Sequence, residues 1–155
     1  MDEKILVLHS SIRHDLEVIA GIYEALDCHP LETESDQDTL IVIAYHLHNL
    51  YNAFENILQN IAGAFENAID DSERWHSRLL ERMRLDLMPV RPAVIDDRTY
   101  DALDELRRFR HLFRHAYSIN LDPMRLQLVL HKAQALREAY PEQMERFLGF
   151  LQRLI

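Results

Sequence analysis

At 155 residues the chain is long enough for one ordinary core, in which folding can bury roughly 70% of the surface exposed by the unfolded form. Hydrophobic residues make up 48% of it against only three glycines and five prolines, which excludes extensive disorder and long loops. The formal charge of −9 excludes indiscriminate binding to polyanions, yet residues 107–115 (RRFRHLFRH) hold four arginines and no acid, leaving −13 on the other 146 residues. The single cysteine, Cys28, cannot form an intrachain disulfide, and no secretory leader pattern is present, so a reducing cytoplasm is expected. Apolar runs such as Leu40 to Ala44 fall far short of the roughly 20 residues needed to span a bilayer, and no membrane association is expected.

From Asp2 to Asp27 the residues Ile5, Leu8, Ile12, Leu16, Ile19, Tyr23 and Leu26 recur every three or four positions, which predicts an amphipathic first helix. His29-Pro30 and the polar run to Asp38 interrupt it. Ser35 followed by Asp38 resembles a capping box, so a second helix is expected from near Asp36. Its apolar positions, Leu40, Ile43, Leu47, Leu50, Tyr51, Phe54, Leu58, Ile61 and Phe65, make it the expected central strut. Trp75, Leu79, Leu80, Met83 and Leu87 predict a shorter third helix from about Ser72 to Leu87, ended by Pro89 and Pro92. Asp96 or Asp97 can cap a fourth, with Leu103, Leu106, Phe109, Phe113 and Ala116 inward, ending near Asn120. Asp122-Pro123 and Tyr140-Pro141 each read as a helix start, predicting two C-terminal helices over 123–139 and 141–154. The expected fold is all-α: one domain over residues 1–155, an antiparallel bundle of four main helices with short C-terminal additions.

On a helical wheel, residues 106–117 divide into two sectors. Leu106, Phe109, Phe113 and Ala116 face the core, whereas Arg107, Arg108, His111, Arg114 and His115 form a cationic face, with Arg110 and Tyr117 at the border. Such a face admits three explanations. It can be a solvated surface paired with Asp101, Asp104 and Glu105. It can bind metal through His111 and His115, four residues apart, but the surrounding arginines oppose a cation and no carboxylate lies between Arg107 and His115. Glu73-x-x-His76 supplies only one half of a di-iron motif, and His46 and His48 point about 200° apart on a helix, so no metal is expected. The third explanation is metal-independent RNA cleavage, in which a 2′-hydroxyl attacks the adjacent phosphorus. Histidine moves protons near neutral pH and arginine stabilises the developing charge.

The stretch Arg110 to Tyr117 (RHLFRHAY) resembles the Arg-x4-His-x-Tyr motif of HEPN ribonuclease toxins of the HepT-like group, including a polar residue directly after the arginine. The resemblance extends to Tyr45–Tyr51 (YHLHNLY), Phe54-Glu55, Trp75-His76 and Arg91-Pro92. It implies a HEPN-type helical homodimer whose motifs meet in an interfacial cleft, endoribonuclease activity without cofactor or metal, and a minimal nucleotidyltransferase antitoxin. In that group the antitoxin neutralises the toxin by transferring AMP to the motif tyrosine, here Tyr117.

Arg110 and His115 are accordingly the expected catalytic pair, His111 an auxiliary group, and Arg107, Arg108 and Arg114 the RNA-backbone contacts, tRNA being among the substrates that would fit. On a straight helix Arg110 and His115 lie about 140° apart around the axis and about 7.5 Å along it, so either the helix bends or a second copy helps complete the site. His9, His14, His29, His46, His48, His76 and His131 belong to no constellation that raises them above surface or core residues. Two other classes remain open: a non-catalytic HEPN module holding RNA or nucleotide, and a structural partner subunit that uses only the apolar seam.

Overall fold

The computed structural model describes residues 2–66, 74–115 and 120–155. They form five α-helices: α1 (Asp2–Asp27), α2 (Gln37–Phe65), α3 (Trp75–Met83), α4 (Asp97–His115) and α5 (Pro123–Gln152). The first helix and the inward stripes of α1 and α2 match the periodicity. Ile5, Leu8, Ile12, Ile19, Tyr23 and Leu26 of α1 are buried, with Leu16 packed beside them.

Side-chain contacts across three pairs of helices fix the direction in which the long helices run. Ser11 and Asp15 of α1 bond Asn60 and Asn56 of α2, so these two helices are antiparallel. The Tyr23 hydroxyl donates to the Ala133 carbonyl at 2.7 Å and Arg13 pairs with Glu145, so α1 and α5 are antiparallel as well. Arg110 meets Asn52 while Phe113 meets His48, which gives α4 the opposite sense to α2. The result is an up-down-up-down bundle of α1, α2, α4 and α5, with α3 inserted in the connection between α2 and α4. α2 is the central strut, packing against all four other helices.

Several local expectations need correction. Asp36, not Ser35, caps α2: its carboxylate accepts from the Thr39 amide at 2.8 Å, while the Ser35 hydroxyl accepts from the Glu32 amide in the preceding turn. α3 ends at Met83 rather than Leu87, because the chain folds back, placing the Val94 amide on the Met83 carbonyl at 2.8 Å. The two C-terminal helices are one 30-residue helix, α5, which runs through Pro141 and is the fourth main element rather than an addition. Proline sacrifices one backbone bond, but Leu136 and Tyr140 before it and Met144 and Phe147 after it are buried in one continuous core. Breaking the helix would withdraw one of those pairs from it.

The connection from α3 to α4 is organised around Arg91, whose side chain is fully buried. Its guanidinium donates to the carbonyls of Arg82, Leu85 and Pro92, at 3.0, 3.1 and 3.0 Å, and pairs with Glu66 just beyond the end of α2. Asp96 then starts α4 by accepting from the Thr99 amide at 2.8 Å. Gln143 of α5 clamps the same turn, accepting from the Asp96 amide and donating to the Thr99 hydroxyl. α4 is thus anchored at its start on both α5 and the Arg91 loop.

Removing the Arg91 guanidinium should leave the Glu66 carboxylate, only 5% exposed, with incomplete compensation. Arg91→Met is expected to cost about 3–5 kcal/mol in urea denaturation, whereas Arg84→Ala, which breaks an exposed pair with Asp97, should cost under about 1 kcal/mol. Equal losses for the two would show that the loop stands without its buried guanidinium.

Candidate functional site

The expected site falls on the last two turns of α4. Leu106 and Phe109 are buried and Phe113 packs half-buried against the core, so the apolar sector is the docking seam. Arg108, His111 and Arg114 are exposed, Arg107 and Arg110 half-buried. His115 is the last residue of α4 and its side chain lies outside what is described. Tyr117 and Ala116 lie outside the described residues, as does Glu73 of the half-motif that ends at His76.

The arginines have different partners. Asp104, one turn back on α4, takes Arg107 at 2.8 Å and Arg108 at 2.9 Å, so for these two the ordinary paired-surface explanation holds in part. One carboxylate on two guanidiniums leaves a net positive charge. Arg110 instead crosses to α2: its Nε donates to Oδ1 of Asn52, and its guanidinium carbon sits 5.9 Å from the centre of the Tyr51 ring. Tyr51 is buried beside Glu55, and burial first, then that carboxylate, pushes its pKa up, with Arg107 and Arg110 pulling the other way. Arg110 thus lies at the border where the wheel puts it, and a neutral amide holds it.

His48 is a member of this constellation that the sequence reading sets aside. Asn52 Nδ2 lies 3.4 Å from His48 Nε2, and the imidazole packs against the Phe113 ring at 5.8 Å between centres. Burial, followed by the charges of Arg110 and Arg114, holds the His48 pKa below the usual histidine range. The available signal was the spacing: His48 and Asn52, like Tyr51 and Glu55, are four residues apart and therefore share a face of α2. A neighbouring pair completes the wall, with His76 of α3 2.7 Å from the buried Glu55 carboxylate. One residue from each of the Tyr45–Tyr51, Phe54-Glu55 and Trp75-His76 stretches is thereby linked to α4: Tyr51 meets Arg110 and neighbours Glu55, which pairs with His76.

Among the described residues no group of three or more His, Cys, Asp or Glu side chains is gathered to hold a metal, and none of the described helices is long and apolar enough to cross a membrane. His46, separated from His48 on the helix, stacks on His29 at 5.8 Å instead. What the site can offer chemically is an anchored guanidinium, further exposed cations and a nearby half-buried imidazole.

The folded-state pKa values of His48 and His46 are both depressed, the latter by burial and then His29. The unfolded chain therefore binds these protons more readily, so their contribution to stability is complete above the ordinary histidine value of about 6.5 and is lost as pH falls through the depressed values. The urea midpoint should fall between about pH 7.5 and about pH 5, and His48→Gln should flatten part of that slope. An unchanged slope in the variant would place the titration elsewhere.

A family model described as HepT-like protein matches residues 42–151. No curated protein and no solved structure matches the chain. The matched span includes the Asn52 anchor, the Arg91 loop and the whole basic segment of α4, and runs to the last turn of α5. With more than two thirds of its length matched and its helices in a HEPN-type bundle, the chain belongs to the HepT-like protein family.

Proposed function

We propose that the chain is the toxin of a HEPN and nucleotidyltransferase toxin–antitoxin pair, a metal-independent endoribonuclease acting as one unit over residues 1–155 in the cytoplasm. The observation that carries this reading is the holding of Arg110. A partly buried guanidinium bound to an amide oxygen keeps its full positive charge, whereas a carboxylate partner would cancel it. It stands five residues before His115 in the sequence and one turn before the exposed Arg114, with Arg108 also exposed on the same helix. These are the components that phosphate chemistry draws on: a fixed cation, a histidine and a surface that attracts the RNA backbone.

In the proposed reaction the 2′-oxygen attacks phosphorus as its proton is removed, the phosphorus–5′-oxygen bond breaks, and the leaving oxygen is protonated. The products are a 2′,3′-cyclic phosphate and a 5′-hydroxyl. His115 moves one of these protons, Arg110 stabilises the charge on the phosphate oxygens, and His111 assists. Arg107, Arg108 and Arg114 contact the backbone of an RNA such as tRNA. Two copies pair their basic faces about a two-fold axis, bringing both Arg110–His115 sets into one cleft. The partner is a nucleotidyltransferase that transfers AMP to Tyr117, placing bulk and negative charge at the cationic face.

Purified, unmodified protein incubated with total RNA in EDTA should yield fragments ending in 2′,3′-cyclic phosphate. Arg110→Ala and His115→Ala should each lower cleavage by at least about 100-fold with helical content retained. Binding without cleavage in the wild type would favour a non-catalytic module, and activity that chelator removes and metal restores would overturn the mechanism.

Control by the partner has its own readout. Incubation with the nucleotidyltransferase and ATP should add AMP to Tyr117, detected by mass spectrometry, and cleavage should fall in step. Tyr117→Phe should escape both; a partner that silences this variant as fully as the wild type would act by occlusion alone.

A further inference from the structure

The side chains between α2 and α4 form a chain of donors and acceptors in which each link dictates the next. Arginine Nε–H can only donate, so the atom of Asn52 that faces Arg110 must be the amide oxygen. The amide nitrogen is thereby turned toward His48, and an NH2 group can only donate. Nε2 of His48 must accept, which it can do only if it carries no proton. While the chain is intact, His48 on this reading is neutral and bears its proton on Nδ1, a buried atom with no hydrogen-bond partner among the described residues.

We propose that Asn52 is a positioning residue, holding the Arg110 guanidinium at the α2–α4 seam through its amide oxygen while a neutral His48 locks the amide in that orientation. This rests on the reading of Arg110 as a group that acts on RNA phosphate. The function of the relay is geometric. Arg110 is anchored by Nε, leaving its two terminal nitrogens to address two phosphate oxygens. The amide that holds it would be free to turn over without His48, presenting an NH2 group to the guanidinium and repelling it. The surroundings favour an uncharged imidazole: the Phe113 ring packs against it, and Arg110 and Arg114 on α4 oppose a further positive charge.

The test uses the full chain, labelled with nitrogen-15. Long-range proton–nitrogen spectra of the wild type near neutral pH should show His48 as the neutral Nδ1–H tautomer, and the Arg110 Nε–H should exchange more slowly than those of the exposed arginines. In Asn52→Leu, with circular dichroism unchanged, His48 should leave that tautomer and the Arg110 Nε–H should exchange quickly. Asn52→Asp separates the links by keeping an acceptor for Arg110 while offering His48 no donor: the Arg110 signal should stay slow and His48 should gain a proton. A wild-type His48 that is protonated, or is the Nε2–H tautomer, overturns the relay whatever the activity. In single-turnover cleavage, Asn52→Leu should lose about 10- to 100-fold in rate while RNA affinity changes less than about threefold. An unchanged rate overturns the positioning role. Wild-type protein that displays the predicted spectra but cuts no RNA overturns the ribonuclease reading on which that role rests, so the two failures are told apart.

Discussion

A helix packed against four others gives up water along a broad face, and the polar groups it keeps there are stabilised by partners on its neighbours. α2 is in that position. Leu40, Ile43, Ala44, Leu47, Leu50, Tyr51, Phe54, Ile57, Leu58, Ile61 and Ala62 are all buried, leaving its polar residues little choice of surroundings. Asn56 and Asn60 reach α1, His48 and Asn52 reach α4, and the Glu55 carboxylate reaches His76 on α3. The orientation of α4, and hence of the basic segment, follows from how these groups are matched together with the Asp96–Gln143 clamp at its start.

Arg91 and Arg110 illustrate two uses of a guanidinium withdrawn from water. Arg91 is fully buried, with a carboxylate and three carbonyls around it, so its charge is consumed in joining the end of α3 and the following loop to Glu66. Taking such a group out of water is costly, and only this density of acceptors offsets it. Arg110 is half-buried and meets an amide and the Tyr51 ring. Its desolvation is smaller and its charge is not cancelled. The first arrangement suits architecture; the second leaves a cation able to interact with something else.

The elements whose signal is local were legible in the sequence. The three-to-four spacing in α1 and α2 gives their span and inward faces, and the wheel over 106–114 separates Leu106, Phe109 and Phe113 from the exposed Arg108, His111 and Arg114. Features decided by tertiary packing were not. Pro141 reads locally as a restart, but the core holds α5 straight through it because apolar residues on both sides are needed in the same cluster. Ser35 and Asp36 are equally good caps on paper, and the turn that engages Ser35 with Glu32 leaves Asp36 to cap the helix. His48 gave no motif of its own, since its significance depends on a residue 62 positions later in the chain reaching the amide of Asn52. Spacing alone placed His48 and Asn52 together; only the packing of α4 turned that pair toward Arg110.

The border position of Arg110 on the wheel explains why it differs from its neighbours. Arg107 and Arg108 lie three and four residues after Asp104 and close onto it within their own helix. Arg114 sits on the exposed face, and among the described residues no ion pair engages it. A side chain at the edge of the apolar seam instead lays its methylene stem along that seam and brings its head to the next helix. Anchoring through Nε removes much of the rotamer freedom of a long side chain before any ligand arrives, an ordering cost of up to about 2 kcal/mol that would otherwise fall on the binding step. A guanidinium fixed in this way, in a chain whose other surfaces carry the excess negative charge, concentrates attraction for a phosphate at one orientation on one face. The net charge of −9 and the basic segment are thus not at odds, because the four arginines of residues 107–115 gather positive charge in one helical segment while the other 146 residues carry −13.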